Sequence, residues 1–322
     1  MAQGFALDER SLGAMRLALG AVLIGDLIQR MMDLSAHYTD QGVLPRSLEY
    51  QLAAAGQWSL LNLSGSSAFC AAIFGLALLS AVCLLLGYRA RLATVASWIL
   101  LVSIQNRNPL IRHSGDDVLR LALFWSAFLP VGACFSLDAR KGRGVMRSSV
   151  GSVCFILQSL FLFVFLLDHK LLGQSWISGS AVAESLSVEM YQRPFGAWLA
   201  RQDALLPALT WGVLLWQGLI PLLLVWPTRA AWPRMLALGA NAATQIGFGL
   251  SFRLGHFPWT ACALLLAFIP GDLWSRWGVP PPPGKGPPPA SMSVVSRVPG
   301  VLAAVSIALA LLWNLGEAGA TF

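Results

Sequence analysis

The chain has 322 residues, of which 56% are hydrophobic and 11% charged, with a mean hydropathy of +0.65. Soluble domains carry about 25% charged residues, so the shortage of polar surface excludes a cytosolic enzyme. The formal net charge of +7 and pI near 9.6 would suit nucleic acid only if the cations were gathered on one face or tail. They fall instead between apolar runs.

A helix needs about 20 residues to cross roughly 30 Å of hydrocarbon, and nine segments can do so: residues 11–30, 66–87, 92–111, 117–136, 150–169, 204–226, 234–252, 256–274 and 295–315. Unbroken apolar runs such as Leu160 to Leu167, without period-two alternation, point to helices and not barrel strands. The fold class expected is all-α: a polytopic integral membrane helical bundle of about eight to nine transmembrane helices. Residues 1–278 form the transmembrane domain in this reading, 279–290 a proline-rich linker, and 291–322 an additional C-terminal helix.

The first span carries Arg16, Asp26 and Arg30 and lacks a clean cleavage site, so it is expected to remain as a helix and not act as a removable signal. Arg16 and Asp26 are ten residues apart, about 15 Å along the axis. They cannot pair, so each needs a partner on another helix or a place near an end. Asn106-Arg107-Asn108-Pro109 closes the third span and His113-Ser114-Gly115-Asp116-Asp117 opens the fourth. Asp116 and Asp117 suit helix capping; alternatively, Arg107 or Arg112 pairs with Asp117 at the mouth of a cavity.

Asp168, His169 and Lys170 end the fifth span. Lys170 either snorkels to the interface or stands in a dry cavity, where desolvation makes it a usable base. His169 could relay a proton, although adjacent helical residues point about 100° apart. Trp176 to Trp198 reads as a helix at the headgroup level. Gln217 and Gln245, in the sixth and seventh spans, are expected to hydrogen-bond across helices. Arg253-Leu254-Gly255 joins the seventh and eighth spans as a tight hairpin, with Pro258 in the first turn of the eighth. Pro280 to Pro289 is a stiff tether. The five cysteines sit inside apolar runs, with no spacing that reads as a disulfide framework or a metal site.

Most Lys and Arg, including the Arg140 to Arg147 cluster, fall on the side that holds the N-terminus. Positive loops stay inside, so the N-terminus is expected in the cytoplasm and the C-terminus outside, in a bacterial cytoplasmic membrane. The lipid bilayer accounts for the basic pI, with no nucleic acid.

His37-Tyr38-Thr39-Asp40-Gln41-Gly42-Val43-Leu44-Pro45-Arg46, then Arg107-Asn108-Pro109 with Gly115-Asp116-Asp117, then Leu129-Pro130 through Ser136-Leu137-Asp138, resemble successive signatures of the HTTM family. Lys170 with Trp176 and Gly179, and Gly255-His256-Phe257-Pro258-Trp259, continue the series. This is the membrane domain shared with vitamin K-dependent γ-glutamyl carboxylase, and the resemblance covers about residues 10 to 275.

The resemblance implies a base at Lys170 that deprotonates reduced vitamin K or another quinol at the exoplasmic face, so that oxygen can turn the cofactor into a strong base acting on a peptide glutamate. The chain departs from the pattern at Gln217 and Gln245, where relatives commonly carry Glu and His. A non-catalytic subunit that packs against partner membrane proteins is therefore the alternative. His37, Asp40, Arg107, Asn108, Asp116, Asp117, His169, Gln217, Gln245 and Trp176 are the structural or cavity-lining polar candidates beside Lys170.

Overall fold

A computed structural model describes residues 7–52, 56–140, 150–226 and 230–280. The expected ninth span, residues 281–290 of the linker and the Lys141 to Arg147 part of the basic cluster lie outside the described residues. A helix falls in each of the first eight expected spans, those in the fourth and eighth ending well short of the expected 136 and 274: α1 (Glu9–Met32), α2 (Ser67–Leu86), α3 (Ala90–Arg107), α4 (Ser114–Ser126), α5 (Val150–Leu172), α6 (Leu206–Leu224), α7 (Trp232–Ser251) and α8 (Phe257–Leu265). Among the described residues α1, α2, α5 and α6 are long and apolar enough to cross a membrane.

Helix α1 forms because Asp8 caps its first turn, accepting from the Arg10 N–H, and because Leu12, Met15, Leu19, Leu23 and Leu27 recur every three to four residues. All five are buried against α2, α4 and α8, which makes α1 the central helix. Its Arg16 is 1% exposed, and its guanidinium donates to the carbonyls of Leu84, Leu85, Val131 and Phe135. Leu84 and Leu85 lie in the last turn of α2, where carbonyls lack intrahelical partners and the dipole is negative. The partners expected for Arg16 on other elements are thus backbone oxygens.

Gly87 ends α2 in the left-handed conformation, with φ +66°, and a Cβ there would run into the Ser136 side chain. Asp138 accepts from the N–H groups of Arg89 and Ala90 and so caps α3. Between α5 and α6, the continuous interfacial helix expected over Trp176 to Trp198 is replaced by short pieces, Gln174–Ser178, Ala181–Ser187, Glu189–Tyr191 and Pro194–Leu199. Gly179, at φ +82°, breaks the first, and Pro194 restarts the chain at a first helical turn. The α7–α8 hairpin forms as expected, with Gly255 at φ +59° and Pro258 in the first turn of α8.

Candidate functional site: a buried charge cluster beside a membrane cleft

The C-terminal end of α1, the start of α4 and the start of α8, with Tyr38 from the segment after α1, bring six polar side chains together. Arg30 Nε donates to both oxygens of Asp26, one turn earlier on α1, at 2.9 Å each. Arg30 Nη1 donates to the Tyr38 hydroxyl at 3.1 Å, and Nη2 to Asp116 Oδ1. His256 fits between the two carboxylates: Nδ1 lies 3.1 Å from Asp26 Oδ1 and Nε2 3.5 Å from Asp116 Oδ1. His113 completes the group, its ring centroid 4.7 Å from that of His256.

Local sequence sets this geometry. Asp26 and Arg30 share a helix face because they are four residues apart. His113 and Asp116 form a capping box at the start of α4: the His113 ring accepts from the Gly115 N–H, and the Asp116 carboxylate accepts from the His113 N–H. Gly255 lets the α7–α8 turn approach the His113 ring, since a Cβ there would lie 3.0 Å from Nε2.

The hydrogen bonds fix the protons. His113 Nδ1 accepts, so a neutral His113 carries its hydrogen on Nε2, 3.7 Å from Asp116 Oδ1. Burial pushes the His113 imidazole below its usual value, against the pull of Asp116. His256 Nδ1 faces Asp26, which leaves Nε2 as the open position, buried and without a hydrogen-bond partner. With His256 neutral, Asp26 and Asp116 outweigh Arg30 and the cluster carries one net negative charge. A second proton on Nε2 brings it to neutrality and gives that nitrogen Asp116 Oδ1 as a partner. The buried group is therefore one positive charge short of balance.

His113, Asp116 and His256 also have the types and spacing of metal ligands, with ligand atoms within 4.8 Å of one another. Arg30 already engages Asp116 Oδ1, so a cation would have to displace a guanidinium that two carboxylates hold. The set suits a proton better than a metal.

Two cavities meet this cluster. A cleft of about 880 Å³ runs between α1 and α8, lined by Ala18, Val22, Asp26, His256, Trp259 and Leu266 among others. A smaller pocket of about 220 Å³ is lined by Asp26, Arg30, His37, Tyr38, His113 and His256. The first is within the size range of small-molecule sites, about 300–1,000 Å³.

The HTTM domain model matches residues 6–274. The chain belongs to the HTTM family. No curated protein and no solved structure matches it.

Within this HTTM domain, the polar residues expected from sequence fall into separate groups. Asp116 caps α4 as expected and also joins the buried cluster as an ion-pair partner of Arg30, a role the sequence did not suggest. Asp117 is exposed and pairs with Arg112 at 3.8 Å on the surface. Arg107 is fully buried and lies 3.7 Å from Asp40, with its three guanidinium nitrogens lacking hydrogen bonds. It therefore pairs with Asp40 and not with Asp117.

Asp40 is held chiefly by Arg46, at 2.7 Å, whose hydrogen bonds keep the Asp40 carboxyl below its ordinary range. Asn108 donates to the His37 carbonyl at 3.0 Å and caps the turn after α3, while His37 lines the smaller pocket. Lys170 is half-buried with Nζ 5.0 Å from the Trp176 ring centroid, a cation–π contact, and lines neither cavity beside the cluster. His169 is exposed. The amide oxygens of Gln217 and Gln245 are buried without partners, so the cross-helix hydrogen bonds expected of them are not made through these atoms.

Sequence reasoning noticed Asp26 and Arg30 but did not join them, and gave His113 and His256 no role in common. The i, i+4 spacing of Asp26 and Arg30 was a usable signal. The meeting of His113 with His256, 143 positions further on, had none in a single sequence.

Proposed function

We propose that this HTTM-family chain is a carboxylase-like membrane enzyme that takes a proton from an acidic O–H of a membrane-dissolved amphiphile at its exoplasmic end. In this reading it spans a bacterial cytoplasmic membrane eight to nine times with its N-terminus inside. Reduced vitamin K or another quinol is the substrate class that the family resemblance implies, and a peptide would be acted on after it. The carrying observation is the Asp26–His256–Asp116 chain, one proton short of neutrality, on the wall of the 880 Å³ cleft.

The step balances. The substrate O–H bond breaks, its electron pair stays on oxygen, and the proton enters at Asp26 or His256, both on the cleft wall. Taken at Asp26, it stays on the carboxyl, which still accepts from His256 Nδ1–H, while the cluster passes from one negative charge to none. Arg30 bridges the two carboxylates throughout. Lys170, over Trp176, is the alternative base, and the two are separated by mutation.

The test uses the full chain in lipid nanodiscs with 2-methyl-1,4-naphthoquinol, following the absorbance of the quinolate. Formation in step with protein, lost by about tenfold or more in His256→Asn and Asp26→Asn, supports the cluster. No quinolate with the unaltered chain, or undiminished formation in His256→Asn, overturns it. Loss in Lys170→Ala alone assigns the base to Lys170 instead.

A second reading is a non-catalytic subunit, supported by amides at Gln217 and Gln245, where the family resemblance implies ionisable groups. Stoichiometric partner membrane proteins after purification in mild detergent would support it, and a lone monomer would count against it.

A further inference from the structure

The large cleft is graded along its length. On α1 its wall runs from Ala18 through Val22 to Asp26 and Gln29, about 16 Å along the axis. On α8 and its 3₁₀ extension it runs the other way, from His256 past Trp259 and Ala263 to Leu266, about 15 Å. Because the two helices are antiparallel, their apolar ends coincide at the floor and their polar ends at the mouth.

Arg193 and Arg253 stand at that polar end and line the cleft. A short antiparallel bridge, Gln192 to Phe252, sets them diagonally on one face, flanking the bridged pair: the Arg193 N–H donates to the Ser251 carbonyl at 2.9 Å and the Arg253 N–H to the Tyr191 carbonyl at 2.7 Å. Neither guanidinium forms an ion pair among the described residues. Two exposed guanidiniums on one face at the cleft mouth, neither with a carboxylate partner, suit a single anion held between them. Asp26, the acidic residue of the same wall, is already taken by Arg30 and His256.

We infer that the cleft binds a single-chain amphiphile with a phosphate head, its tail on the floor between α1 and α8 and its phosphate held by Arg193 and Arg253. The inference rests on the reading of this cleft as the substrate site, and narrows the substrate to a molecule with a fixed anion as well as an exchangeable proton. A bare quinol fills the floor and reaches His256 but leaves both guanidiniums unanswered.

The experiment compares dodecyl phosphate with dodecanol, probes that share a tail, by equilibrium dialysis against the full chain in nanodiscs of neutral lipid. Dodecyl phosphate is expected to bind about tenfold tighter, since a charge-assisted contact exceeds that to a neutral head, and the difference shrinks with salt. Arg193→Gln with Arg253→Gln, both exposed positions, should abolish the preference and leave dodecanol binding as it was. Gly25→Trp should remove both probes, because Gly25 lines the cleft and a Cβ there has open space around it, so the added ring takes up cleft volume.

Equal affinity for the two probes, a preference that survives the double arginine variant, or unchanged binding in Gly25→Trp would each overturn the inference. Excess inorganic phosphate is expected to leave the amphiphile bound, and its displacement by stoichiometric phosphate would also overturn it. Dialysis involves no proton transfer. Failure of the quinolate assay with this preference intact thus counts against the proton reading alone, and quinolate formation without the preference counts against the headgroup alone.

Discussion

Replacing Arg30 by Met leaves Asp26, 5% exposed, and Asp116, fully buried, facing one another across His256. Removing one partner of a buried pair costs about 3–5 kcal/mol, because the remaining charge is uncompensated, and the lost Tyr38 hydrogen bond adds roughly 1 kcal/mol. Asp26→Asn is expected to behave differently. It leaves Arg30 and Asp116 as a balanced pair, so its cost is about 1–2 kcal/mol, the size of a weakened hydrogen bond to a charged group.

The decisive combination is Arg30→Met with Asp116→Asn, which removes one charge of each sign and should recover about half the loss or more. Thermal unfolding of the detergent-solubilised chain, followed by exposure of the buried Cys70 thiol to a fluorescent maleimide, gives the ranking. An Arg30→Met variant within about 1 kcal/mol of the unaltered chain, or one that Asp116→Asn worsens, would refute the charge balance drawn for the cluster.

Two other outcomes follow from the same structure. Arg46 holds the Asp40 carboxyl below its usual range, so the folded-state value is depressed; the loop stability that the pair adds is present above the unfolded value near 3.9 and is lost as pH falls through the folded one. Backbone hydrogen exchange over residues 39–46, corrected for intrinsic rates, should therefore lose protection in acid, and Asp40→Asn should remove that pH dependence. Trp176→Leu removes the ring under the Lys170 ammonium, a contact worth about 0.5–1 kcal/mol, and should raise the labelling rate of Lys170 by amine reagents with little change in overall stability; an unchanged rate would show that the ring does not shield it.

The membrane helices were legible because apolar length is a local property. α1, α2, α5 and α6 each keep enough consecutive apolar residues to be recognised alone. Helix ends were legible where the cap is local too, as with His113 and Asp116 or Gly255 and Pro258. The segment from Trp176 to Trp198 was misread as continuous because aromatic composition was weighed above Gly179 and Pro194, whose backbone preferences break it. Of the two arginines offered to Asp117, Arg112 takes it at the surface, whereas Arg107 lies near Asp40, which reaches it only through the packing of the loop after α1 against α3.

Taken by itself, the order of residues determined a chain that lives in lipid, the places of its helices, and membership of the HTTM family, since each depends on composition or on motifs read in line. What it did not determine is which buried charges meet. His256 and Asp116 are separated by 140 positions, and their approach depends on α1, α4 and α8 packing at one end of the bundle. In a low-dielectric interior a charge is stable only beside its complement, so the tertiary structure decided that Asp26, Arg30, Asp116 and His256 form one unit, with a cleft on its wall.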